Sequence, residues 1–119
     1  MTTHADILLD PETPAVIVNQ EGVIQDINTA FEKAFEWQRD QLKGNQLTMI
    51  IPEKLRDAHH LGFSRFLMTG QPTILDQYLD LEILCGDGRI RSARHYITAD
   101  QEAGQWRFVA AIRDGGSPG

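Results

Sequence analysis

Hydrophobic positions change period twice along this chain. Two short β-branched runs come first, Pro14-Ala15-Val16-Ile17-Val18-Asn19 and Val23-Ile24-Gln25-Asp26-Ile27, split by Gln20-Glu21-Gly22. Such runs joined by a short glycine-containing loop predict a β-hairpin. The spacing then becomes helical: Ile27, Ala30, Phe31, Ala34 and Phe35 fall three and four apart. Asn28 stands before them as a good N-cap, so residues 29–36 are predicted as a short amphipathic helix. Arg39 to Gly44 reads as one further turn ended by Gly44, and Leu47 to Ile51 as an apolar patch. A long helix is predicted over Pro52–Thr69, with Leu55, His59, Gly62, Phe63, Phe66 and Leu67 on one face. Pro52 suits its first turn, where the missing N–H is no loss. Thr69-Gly70, with Pro72 soon after, supplies the stop.

Beyond Gly70 the period falls to two. Between Ile74 and Leu84, the positions Tyr78, Asp80 and Glu82 alternate with Leu79, Leu81 and Ile83, the mark of a half-buried strand. Gly86-Asp87-Gly88 is a strong hairpin turn, and Arg89 to Thr98 is the partner strand. Asp100 to Gly104 is expected to turn the chain again, and Gln105 to Arg113 to form the last strand. Alternation puts Trp106 and Phe108 on one face, Arg107 and Val109 on the other. A hairpin, then helices, then further strands predicts an α+β domain with its helices gathered on one face of an antiparallel sheet. Residues 1–12 are expected to form an N-terminal cap segment in which Ile7-Leu8-Leu9 packs on the body. Residues 13–114 are the domain, and 115–119 a disordered tail.

A chain of 119 residues fits one domain with a single core and no staples. The net charge of −6, with Lys and Arg scattered singly, argues against nucleic acid and anionic membranes as partners. The lone cysteine, Cys85, forbids an intrachain disulfide and agrees with a reducing compartment. No apolar run approaches the length of a membrane span, and the N-terminus lacks the basic and apolar regions of a signal peptide. A cytoplasmic protein, or the soluble part of a larger one, is expected.

No enzyme is expected: the sequence holds no Ser-His-Asp set, glycine-rich phosphate loop or metalloprotease motif. Two histidines stand out instead. His59 lies on the apolar side of the long helix, where it either lines a cavity or is a core residue bonded to backbone or carboxylate. His59 and His60 point about 100° apart on a helix and do not readily share a metal. His95 lies on a strand, in Ala93-Arg94-His95-Tyr96, and either faces a cavity or plays a cross-strand structural role. Cys85, near a hairpin tip, reads as an inert thiol.

From about Pro11 to Asp114 the chain resembles a PAS domain. The resemblance is carried by Ala15-Val16-Ile17-Val18 with Gly22-Val23-Ile24, by Ile27-Asn28-Thr29-Ala30-Phe31, by Phe35 with Trp37, and by Leu42-Lys43-Gly44. Ile51-Pro52-Glu53, Asp87-Gly88 and Ala111-Ile112-Arg113-Asp114 complete the order. Glu36 departs from it, since the family often has glycine there. The resemblance implies a five-stranded antiparallel sheet with helices over one face and a ligand cavity between them. The residues expected to line that cavity are Phe31, Phe35, Leu55, His59, Phe63, Phe66, Leu79, Leu81 and His95. It further implies a sensory or protein-interaction module of bacterial-type signalling. Such a module works as a homodimer, with an output domain or partner protein and a small apolar ligand.

Leu55-Arg56-Asp57-Ala58-His59 is similar to the segment of oxygen-sensing haem PAS domains in which a histidine ligates the iron. That implies His59 as the axial ligand of haem b, an alternative to the leading expectation of no cofactor. Haem sensors place an arginine, and in some cases a methionine, on the following strand to meet bound gas. Those places hold Leu79 and Gln77 here, and Leu79 cannot donate a hydrogen bond. Photosensor flavin chemistry needs a cysteine before the long helix, and Lys43 to Met49 contains none, which leaves a non-covalent flavin as the third option.

Overall fold

The computed structural model describes residues 12–57 and 78–114. In chain order these form β1 (Ala15–Asn19), β2 (Ile24–Ile27), helix α1 (Thr29–Phe35) and the one-turn helix α2 (Arg39–Leu42). Two 3-10 turns follow, Leu47–Ile50 and Glu53–Leu55, and then β3 (Tyr78–Leu84), β4 (Ile90–Glu102) and β5 (Gln105–Asp114). The strands make one antiparallel sheet in the order β2-β1-β5-β4-β3, so the last strand lies between the first and the fourth. This is the five-stranded α+β arrangement that the alternation and the resemblance implied.

Register sorts the side chains into two faces. Val16 lies opposite Ala110 and Val18 opposite Phe108, while Ile112 lies opposite His95, which in turn faces Leu79 across the next ladder. These residues belong to the inner face, toward the helices. The main core joins Val16, Val18, Ile24, Ile27, Ile83, Ala93 and Ile112 of the sheet to Phe31 and Phe35 of α1, with Leu42, Ile50 and Cys85. The outer face carries a smaller cluster of Ala15, Val109 and Ala111, against which Ile17 and Tyr96 pack. Trp106 and Phe108 share the inner side, as alternation requires, with their rings stacked at 6.5 Å.

Asn28 fixes how α1 leaves the sheet. Its Oδ1 accepts from the Phe31 N–H at 2.9 Å, which caps the helix, and from the Ala15 N–H at 3.0 Å. Its Nδ2 donates to the Thr13 carbonyl at 2.8 Å. One amide thus ties the start of β1, the end of β2 and the first turn of α1. The helix direction it sets brings Phe31 and Phe35 into the core, where both are fully buried with ring centroids 5.1 Å apart.

The far end of α1 is clasped by the β3–β4 hairpin. The Gly86 N–H donates to the Phe35 carbonyl at 2.9 Å, Trp37 Nε1 to the Leu84 carbonyl at 3.0 Å, and Arg91 Nη1 to the Ala34 carbonyl at 3.2 Å. A Cβ on Gly86 would land on the Glu36 carbonyl oxygen, so the approach depends on glycine. Glu36 caps the helix in the left-handed region, at φ 58° and ψ 37°. That conformation explains why glycine is the commoner residue in this place.

Two expectations are corrected. The second hairpin turn is tighter than Asp100 to Gly104: β4 continues to Glu102, with Asp100 opposite Arg107 and Gln101 opposite Trp106. The loop is Ala103-Gly104 alone, at φ 53° and 80°, the pair of positive φ angles that suits the twist of a hairpin. Pro52 stands in extended conformation before the 3-10 turn Glu53–Leu55, and α-helical geometry begins only at Arg56. Arg56 holds that junction, its Nε donating to the Thr48 and Ile51 carbonyls at 3.1 and 3.0 Å. The apolar patch at Leu47 to Ile51 is itself a 3-10 turn over Leu47–Ile50. The expected cap at Ile7 to Leu9, the long helix beyond residue 57, strand residues 74–77 and the tail 115–119 lie outside the described residues.

Two predictions follow from these junctions. Asn28→Ala should cost about 2 kcal/mol, since a cap is lost and the Thr13 and Ala15 groups lose a partner. Asn28→Asp keeps both acceptor contacts and should cost less; chemical denaturation of the two variants checks the order. At the clasp, Gly86→Ala should destabilise by about 1–3 kcal/mol, whereas Glu36→Gly should be neutral or stabilising by about 1 kcal/mol. Opposite shifts of the denaturation midpoint at unchanged slope are the expected signature.

Candidate functional site

The inner face divides into two halves. On the β1–β2 side and at the tip of β3, α1 covers the sheet and the packing is complete: Val16, Ile24, Ile83 and Cys85 are essentially buried. On the β3–β4 side lies a row of Leu79, His95 and Ile112, with Leu81 beside Ala93 next to it and Ile97 two residues beyond His95. Leu79 and Ile97 are half-buried, and Leu81 is 39% exposed on an edge strand with a neighbour on one side only.

His95 is the polar member of this row, only 9% exposed. Its Nδ1 lies 3.1 Å from the Ala93 carbonyl of its own strand. A carbonyl oxygen only accepts, so this hydrogen bond puts the ring proton on Nδ1. Burial pushes the imidazole below the ordinary histidine value, against the opposing pulls of the Ala93 hydrogen bond and of Asp80. The ring is therefore neutral, with Nε2 as a lone-pair acceptor. Asp80 is on the outer side of β3 and pairs loosely with Arg94, Nε to Oδ1 at 3.6 Å, both well exposed.

The remaining predicted lining residues fall into three groups. Phe31 and Phe35 are core residues, buried between helix and sheet. Leu55 is half-buried in the second 3-10 turn, whose Lys54 reaches Glu82 of β3 at 3.0 Å. That pair is substantially exposed and contributes little on its own. His59, Phe63 and Phe66, with Gln77, lie outside the described residues. The structure thus brings together Leu79, Leu81 and His95 on one sheet face. Ile97 and Ile112 belong to the same surface and were missed. Continuing the alternation of β4 from His95 would have found Ile97, but Ile112 needed the β4–β5 register.

Among the described residues, no group of three or more His, Cys, Asp and Glu side chains is arranged to hold a metal ion. Among them, too, no helix is long and apolar enough to cross a membrane. Cys85 is buried, and its N–H donates to the Arg89 carbonyl at 2.8 Å, which closes the base of the hairpin loop.

Comparison with known proteins agrees with this architecture. The chain is 30% identical over 113 residues to the sensor protein FixL of Bradyrhizobium diazoefficiens, covering 94% of this chain and 22% of that protein. It is 26% identical over 100 residues to the oxygen sensor protein DosP of Escherichia coli, covering 84% of this chain and 12% of that one. The chain thus spans less than a quarter of the length of either relative. The PAS domain of a protein from Colwellia psychrerythraea superposes with a TM-score of 0.72 at 14% identity, over 87% of this chain and 86% of that one, a likeness of fold. A model of the PAS fold matches residues 12–114, nearly the whole chain, and the chain belongs to that family.

Proposed function

We propose that this chain is the sensory module of a signalling protein, and that a small, largely apolar ligand held against the β3–β4 half of the inner face is its input. The observation that carries the reading is the row Leu79, Leu81, His95, Ile97 and Ile112. It is an apolar stretch with one neutral imidazole on the side of the sheet that faces the helices: Ile112 is shared with the core around Phe31 and Phe35, while Leu79, Leu81 and Ile97 are partly exposed. Such a lining, mostly apolar with few polar groups, is the usual character of a small-molecule site. Similarity to proteins named as sensors supports the signalling part.

The ligand acts by population shift. It favours whichever arrangement of the terminal segments binds it better, by its difference in affinity for the two. The module works as a homodimer. Its output is a separate domain or partner protein, in a cytoplasmic setting, and the module itself performs no catalysis.

A haem-based gas or redox sensor with His59 as axial ligand is the second reading, favoured by the likeness to a protein named as an oxygen sensor. The described sheet residues fit bound oxygen poorly. Leu79 has no donor, and the His95 proton is committed to the Ala93 carbonyl. A non-covalent flavin has less still to support it.

One experiment separates these. Protein purified without added ligand should give a native mass spectrum of a dimer carrying a small organic molecule, and an absorption spectrum without visible bands. A Soret band that is lost in His59→Ala would replace this reading with the haem one. A ligand-free monomer that takes up nothing would remove both.

A further inference from the structure

We infer that His95 is the specificity-determining residue of the β3–β4 surface, and that it selects an uncharged apolar molecule bearing a hydrogen-bond donor, such as an aliphatic alcohol. This rests on the ligand reading above and deepens it. His95 lies between Leu79 and Ile112 in register, on the helix-facing side of the sheet and one strand in from its edge. Its Nδ1 is held by the Ala93 carbonyl at 3.1 Å, a contact that fixes both the ring orientation and the tautomer.

What remains is Nε2, an acceptor and nothing else. An acceptor flanked by Leu79, Ile97 and Ile112 gains from a hydroxyl or amide N–H. It gains nothing from an ether or an ester oxygen, which are acceptors themselves. A ligand lacking the donor leaves Nε2 dehydrated and unpaired, so the site discriminates by the penalty as well as by the bond. The same chemistry explains the residue type. A leucine in this place would give an apolar surface without preference, whereas a charged side chain would need a fixed partner.

The test uses two isomers of equal size, 1-octanol and 1-methoxyheptane, titrated into the full 119-residue chain and followed by NMR. The alcohol should bind about fivefold more tightly than the ether, the worth of roughly one net hydrogen bond. In His95→Leu, both should bind with equal affinity, the ether more tightly than to the native chain because no acceptor is left unpaired. A second readout needs no variant: the ¹⁵N resonance of His95 Nε2 should move on addition of the alcohol and stay in place with the ether. If both isomers bind the native chain equally and Nε2 does not move, the selective role of His95 is overturned while the ligand reading stands. If neither binds, the inference falls together with the reading that supports it.

Discussion

The fold depends on how a short helix is pinned over the sheet. Helix α1 has only seven residues, too few to be stable by itself, and its geometry is set by its two ends. At the first, the Asn28 side chain meets the backbone of Thr13, Ala15 and Phe31. At the second, the Phe35 carbonyl takes a hydrogen bond from Gly86, and Glu36 accepts a left-handed backbone so that the hairpin can approach. With both ends held, Phe31 and Phe35 have one place to go. They complete the core with Val16, Ile24 and Ile83.

This pinning has a consequence for function. A helix of this length covers part of a five-stranded sheet: Ile112 joins the core with Phe31 and Phe35, while Leu79, Leu81 and Ile97 beside His95 stay partly exposed. The sheet there is not made polar, as an open antiparallel face would be. It remains apolar apart from one imidazole, which burial keeps neutral and the Ala93 carbonyl keeps in one tautomer. An apolar face with a single oriented acceptor is suited to recognition.

Much of this was legible in the sequence because period and punctuation agreed. The opening hairpin, the cap at Asn28, the alternation of β3 and the Asp87-Gly88 turn each follow from local rules, and their order carries the family resemblance. The second hairpin was harder. Asp100 and Gln101 look like turn residues, yet they continue β4 because Arg107 and Trp106 pair with them across the ladder. The positive φ at Glu36 was visible only as a missing glycine. Its cause, the approach of Gly86 to the helix end, links positions far apart in sequence. For the site, sequence reasoning grouped Leu79, Leu81 and His95 with Phe31 and Phe35; the structure puts the first three on one sheet face and the two phenylalanines in the core. That distinction depends on how far α1 reaches across the sheet.

The most direct test of a ligand surface on the helix-facing side is a map of methyl resonances on addition of 1-octanol. Shifts at Leu79, Ile97 and Ile112, with Ile17 and Val109 unmoved, are expected. Shifts confined to Ile17 and Val109, or no shifts at all, would contradict it.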